Sequence, residues 1–468
     1  MIADLKPYPD YRESEGKWLG KVPAHWAVRR FKYILREKDS RSAGGKEQLL
    51  RVSQFTGVTQ RLSVNGLDEP DTRAASLVGY KCVNPDDLVI NIMLAWNGSL
   101  GVSRYDGIAS PAYCVYRFGE VAMPWYYHHL LRSPAYKARI KALSTGVVES
   151  RLRLYTDDLF RLEALLPPPD EQAAIVRFLN HTNQRIERTI RAKRKVIALL
   201  NEQKQVIIHR AVTRGLDPNV RLKPSGIPWL GEIPEGWETR RIKQISKILR
   251  GKFSHRPRND QSLYDGPYPF IQTGAVARAD KYITSFKQTL NKKGLAVSKL
   301  FPKNTLVMTI AANIGDVAVL TFDACFPDSV VGFIPVKEVE QDYLYLVFLC
   351  MKPELLQEAP VNTQGNLNVE RIGSMGVPLP SIDEQRVIVQ NIEEDTRTLI
   401  TTISRTVREI DLLREYRTRL IADVVTGKLD VREAATQLPV EIEELESLDE
   451  IDDSAEIEDL DAVAGGEA

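Results

Sequence analysis

Cysteine is scarce: Cys82, Cys114, Cys325 and Cys350 are the only four in 468 residues, and no two form a C-x-x-C pair. That excludes a disulfide framework and a thiolate zinc site, and leaves buried thiols as the ordinary reading. Long apolar runs are missing too. The longest, Leu88 to Trp96, is broken by Asn91 and is far too short to span a bilayer. No basic start followed by an apolar core opens the chain, so no secretory signal and a cytoplasmic location are expected. Sequence signatures of catalysis are also absent. There is no N-P-P-[FY] and no H-E-x-x-H, and Gly44-Gly45-Lys46 lacks the spacing of a G-x-x-x-x-G-K-[ST] loop. His128 and His129 are adjacent, which cannot make a helical metal pair. No carboxylate pair with a lysine stands out as a nuclease centre. The chain is therefore expected to hold no catalytic residue, cofactor or metal of its own.

What is present describes a globular protein of two to four domains, with 43% apolar and 27% charged residues. The formal net charge of +1 conceals an asymmetry, because residues 441–468 hold 13 acidic side chains and no Lys or Arg. Without that tail, 63 basic residues face 49 of the 62 acidic ones. The remainder is basic, as suits a polyanionic partner, although solubility alone would also explain it. The tail reads as a solvated disordered segment.

The chain is written twice. Trp18-Leu19-Gly20-Lys21-Val22-Pro23-Ala24-His25-Trp26 returns 211 residues later as Trp229-Leu230-Gly231-Glu232-Ile233-Pro234-Glu235-Gly236-Trp237. Leu166-Pro167-Pro168-Pro169-Asp170-Glu171-Gln172 returns after 213 as Leu379-Pro380-Ser381-Ile382-Asp383-Glu384-Gln385. Each second block opens a long helix. Ile186, Ile190, Ile197, Leu200 and Ile207 keep a three/four spacing in the first, and Leu399, Ile403, Ile410, Leu413 and Leu420 repeat it in the second. A stripe of period 3.5 makes a helix seek a partner helix. Ser381 with Glu384 reads as a capping box, Pro169 suits a first turn, and Gly215 and Gly427 suit left-handed caps. Between the repeated blocks, about 27–165 and 238–378, the copies diverge. Short β-branched runs there alternate with Gly, Asn, Asp and Pro, as in α+β domains.

Two like units paired through antiparallel helices would carry a pseudo-two-fold axis, the symmetry of duplex DNA. Because the globular parts differ, their two half-sites should differ as well. At this point the W-L-G-x-x-P-x-x-W block, the P-L-P-x-x-x-E-Q helix start and the duplicated plan resemble the specificity (S) subunits of type I restriction–modification systems. The resemblance runs from about Tyr8 to Val431, and the segment Val220 to Trp229 is similar to that family's linker into a second reader. It departs at Pro168, where the second copy has Ser381, and at the acidic tail.

The resemblance implies an α+β fold of two similar α/β target-recognition domains joined by two long antiparallel helices, a coiled-coil spacer. The expected segments are 1–168 (arm and first recognition domain), 169–217 (central helix), 218–380 (linker and second recognition domain), 381–432 (C-terminal helix) and 433–468 (tail). It further implies a non-catalytic, sequence-specific subunit that reads an asymmetric bipartite target in double-stranded DNA. Methyltransferase subunits, two per chain, and restriction subunits are the expected partners. S-adenosylmethionine, ATP and magnesium would sit on those partners. The rival reading is a duplicated helical scaffold that assembles proteins without reading DNA.

Lys and Arg would hold phosphates, and Arg, Lys, Asn and Gln would read base edges. The first domain offers Arg36, Lys38, Arg41, Lys46 and Arg51, then Gln54 and Thr56 in a Gly-containing turn. The second offers Arg250, Lys252, Arg256 and Arg258, then Gln272 and Thr273. A further loop before each helix offers Ser150, Arg151 and Arg153, and in the second copy Gln364, Asn366 and Asn368. Phe55 and Phe270 would reach thymine methyls if exposed, but a core role is expected for each. The first helix is strongly basic from Arg185 to Arg214, which suits spacer DNA, an acidic partner or plain solvation.

Overall fold

The computed structural model describes residues 5–14, 16, 18–61, 74, 76–147, 152–311, 313–357 and 367–439. Ser150, Arg151, Gln364, Asn366 and the acidic tail lie outside them. Two compact units result, Met1–Lys193 with Arg408–Ala468 and Arg194–Val407. The division falls inside both long helices, Pro169–Arg214 (46 residues) and Ile382–Val425 (44 residues), which at 1.5 Å per residue are about 69 and 66 Å long. Both end on glycine in the left-handed region, Gly215 at φ +73 and Gly427 at φ +76. No helix among the described residues is long and apolar enough to cross a membrane.

In the first unit the repeated blocks explain each other. Strand Tyr11–Glu13 pairs antiparallel with Lys21–Pro23. The next strand, Ala27–Arg30, pairs with Glu163–Leu166 and so stitches the start of the globular part to its end. Trp26 is buried, and its indole donates to Glu171 in the first turn of the helix at 2.9 Å. Gln172 is fully buried: its carbonyl accepts Met123 N–H at 2.8 Å, and its amide donates to Val121 O and Pro167 O. Every atom of that amide able to bond locally is used, so no isostere replaces it cheaply. The core above holds a four-stranded antiparallel sheet in the order Leu35–Glu37, Tyr113–Phe118, Leu88–Asn91, Leu100–Val102. Beside it are two two-stranded pairs, one joining Leu50–Ser53 to Gly57–Gln60.

The second unit repeats the frame. Leu222–Pro224 pairs with Glu232–Pro234, and Glu238–Arg241 with Gly376–Leu379. Trp237 donates to Glu384 at 2.9 Å, and Gln385 bonds Glu340 N–H, Glu338 O and Pro380 O. One expectation is corrected here. Ser381 Oγ accepts the Glu384 amide at 3.3 Å, but the Glu384 carboxylate goes to Trp237, so the box is only half made. The enclosed sheets are larger than in the first unit: five strands (Ser246–Arg250, Val330–Pro335, Leu306–Thr309, Val317–Leu320, Tyr282–Ile283) and four (Gln288–Leu290, Tyr264–Phe270, Ala324–Cys325, Leu300–Phe301).

The two helix segments of the first unit run antiparallel. Lys193 pairs with Glu409 and Glu187 with Arg417, so one number rises as the other falls. Ile186, Ile190, Ile410 and Leu420 are buried there, and Leu413 is half-buried. In the second unit, Ile208, Ala211 and Val212 share a core with Ile388 and Ile392, whereas Ile197, Leu200, Ile207, Leu399 and Ile403 are half-buried.

Candidate nucleic-acid interface

The basic cluster of the first unit divides on inspection. Lys38 is committed inward: its ammonium bonds Asp87 and Asn84, each at 2.6 Å, and Asp87 is 1% exposed. An ammonium held by a buried carboxylate is a structural group, because freeing it would strand that charge. Arg36 is exposed on its strand and Lys46 on its loop. Arg41 is exposed and lies 3.0 Å from Asp39, whose carboxyl is held below the usual range by that guanidinium. Arg51 donates to Thr59 across the hairpin at 3.0 Å. Arg153 is exposed and bridges Thr145.

The hairpin turn after Arg51 is built differently. Phe55 sits at its tip half exposed, at 50%, which overturns the expected core role. Thr56 turns inward, its hydroxyl buried with no partner among the described residues. Beneath the tip lies Arg132, at the end of helix Pro124–Leu131. Its guanidinium donates to the carbonyls of Ser53 (3.3 Å), Gln54 (3.0 Å) and Phe55 on one side, and of Gly98 (3.2 Å) and Leu100 (2.7 Å) on the other. Burial lowers its pKa to about 10, still charged at neutral pH. His128 accepts Val102 N–H at 3.1 Å. Burial first, and the Arg132 charge next, hold both histidines neutral, with His129 down to about 4. Gly57 sits at φ +81, where a side chain is strained, and a Cβ there would crowd the His128 ring at 3.1 Å.

In the second unit the cations lie around a small separate core of Phe253, Leu263, Phe270, Leu290 and Cys325. Phe270 is 5% exposed, as expected of a core residue. Arg250 and Lys252 are exposed. Arg256 and Arg258 are brought together by one carboxylate, Asp328, at 3.7 and 2.7 Å. Arg256 also donates to the Phe253 and His255 carbonyls. Gln272 bonds Gln288 at 2.6 Å, and Thr273 opens a short helix. Asn368 caps helix Val369–Ser374 by accepting the Glu370 amide at 3.0 Å, a local structural use of its side chain.

Residues 234–409, which cover most of the second unit and the first part of the helix Ile382–Val425, match a family profile described as the type I restriction modification DNA specificity domain. Over those residues the chain is similar to type I specificity domains. Along its length it is similar to the MjaVIII specificity subunit of a type I restriction enzyme from Methanocaldococcus jannaschii, at 22% identity over 92% of this chain and 99% of the relative. The MjaIX specificity subunit of the same organism is 27% identical over 34% of this chain and 38% of its own length. In fold, the chain matches one from a structure concerned with complex assembly and conformational transition of the type I R-M system. That match has a TM-score of 0.60 at 17% identity and covers 87% of this chain and 99% of the other.

The frame residues of both units were visible in the sequence as repeats, but Arg132 was not. It lies 77 to 79 positions from the turn it holds, and no spacing rule links them. The available signal was weak: Gly57 in a polar turn marks a tight approach, without saying what approaches.

Proposed function

We propose that this chain is the sequence-reading subunit of a type I restriction–modification complex, itself without catalytic residues. Two divergent readers standing on matched frames carry the reading, and the family similarity along the chain supports it. Each reader takes one half of a bipartite duplex target, and different readers take different halves. The paired helices set the gap and dock two methyltransferase subunits, through which restriction subunits join. S-adenosylmethionine, ATP and magnesium belong to those partners. Exposed cations on the readers and along Arg185–Arg214 supply the phosphate contacts, which makes binding fall steeply with salt.

The test is co-expression with the methyltransferase subunit and genome-wide mapping of methylated bases. The expected result is an asymmetric two-part motif with a fixed gap, lost when this chain is deleted and changed in one half when one reader is exchanged. Methylation indifferent to deletion, with no salt-dependent duplex binding by the purified chain, would leave the protein scaffold as the better account.

A further inference from the structure

We infer that the turn Gln54–Thr56 is the base-contacting tip of the first reader, and that Arg132 is the positioning residue that fixes it. The inference rests on the DNA-reading function proposed above and says which atoms perform it. Three successive carbonyls, Ser53, Gln54 and Phe55, point at one guanidinium, and two more come from Gly98 and from Leu100 at the start of the edge strand Leu100–Val102. A planar fork with donors in fixed directions can gather acceptors from two segments, which a flexible ammonium does poorly. The hairpin tip is thereby tied to the sheet beneath it rather than left to its own turn.

A turn held by its carbonyls presents what remains. Phe55 projects at the tip, and among the described residues nothing bonds the Gln54 side-chain amide. An exposed aromatic on a mobile loop would be ordinary, but on a clamped tip it is a fixed probe. Duplex base edges offer matching chemistry: an adenine takes a glutamine amide in the major groove, and a thymine methyl or an opened base step takes an aromatic ring. Among the described residues the hydrogen bonds of Arg132 all go to carbonyls and none to a carboxylate, which leaves its positive charge under the tip to favour a polyanion. Thr56 contributes its backbone, since its hydroxyl is turned inward.

The experiment compares the wild-type chain with Phe55→Ala, Gln54→Ala and Arg132→Lys, each co-expressed with the methyltransferase subunit. It reads the methylated motif position by position, together with duplex affinity against salt. Phe55→Ala and Gln54→Ala are expected to relax adjacent positions in one half of the motif, with discrimination falling about 5- to 100-fold and the other half unchanged. Arg132→Lys keeps the charge and the salt slope but blurs those same positions. A purely structural Arg132 would instead lower methylation of the whole site evenly. Should Arg132→Lys fail to fold, the two tip variants still decide. A wild-type bipartite motif that Phe55→Ala and Gln54→Ala leave intact overturns the inference while sparing the DNA-reading function. So does loss of methyltransferase co-purification with duplex binding unchanged, which would make Phe55 a protein contact. Absence of any bipartite motif in the wild type sinks both.

Discussion

The two units share a frame and differ in almost everything the frame holds. In both, a tryptophan donates to a glutamate in the first helical turn at 2.9 Å, and the next residue, a glutamine, bonds three backbone groups. The glutamate, however, works harder in the first unit. Glu171 is buried and takes Tyr8, His25 and Trp26 together, whereas Glu384 is exposed and, among the described residues, takes Trp237 alone. Burial and this carboxylate push the Tyr8 hydroxyl well above its usual range. Directional bonds to buried backbone tolerate no drift, so the frame stays recognisable in both copies. The readers need only a sound core, which many sequences supply, and their surfaces are free to diverge.

Breaking the lock should produce the largest effect. Trp26→Ala is expected to cost about 4–5 kcal/mol and Trp237→Ala about 3 kcal/mol, measured by denaturant unfolding of the whole chain. The first also loses edge contacts of its indole with Tyr8 and Tyr126, at 5.7 and 6.4 Å. Equal losses would mean that these ring contacts add nothing.

Acid should separate the units next. The helix starts align through Met123 and Glu340, whose amides bond the paired glutamines, which sets Tyr345 and Leu346 where the first unit has His128 and His129. An unfolded histidine takes up a proton below about pH 6.5, while His129 in the fold resists until about 4. The stability it contributes is present above pH 6.5 and is lost progressively as pH falls to 4, on the order of 3 kcal/mol in all. Melting at pH 7 and pH 4.5 should show the first unit weakening more, and His129→Leu should narrow that gap.

The smallest change would make the helices more alike. Glu187 and Arg417 are paired in the first unit, and the positions 213 residues away hold Ile400 and Lys204. Arg417→Ala should cost about 0.5–1 kcal/mol, and Ile400→Glu should gain no more than about 0.5 kcal/mol, both read from thermal melts at low salt.

How far the fold was legible follows the same division. The repeated blocks marked both helices, their glycine stops at Gly215 and Gly427, and the two-copy plan, because each repeated residue does one local job. Inside the readers that logic fails. Phe55 and Phe270 stand in similar company of Gln and Thr, yet one is half exposed at a turn and the other a core residue, a choice made by strands distant in sequence. Lys38 and Arg41 look equivalent until Asp87 claims one of them. The half-made box at Ser381 has the same origin, since a distant tryptophan outbid the local partner for Glu384.

The first unit is assembled from both ends of the chain. Its core includes Leu420, Val424, Val425, Val431 and Leu438, and Tyr11 bonds the carbonyls of Gly427 and Lys428. The second unit is one continuous stretch, Arg194–Val407. During synthesis, then, the last residue of the second unit leaves the ribosome before the residues that close the first. The reader translated first finishes last, and until residue 438 emerges its open core is the segment most in need of a chaperone's cover.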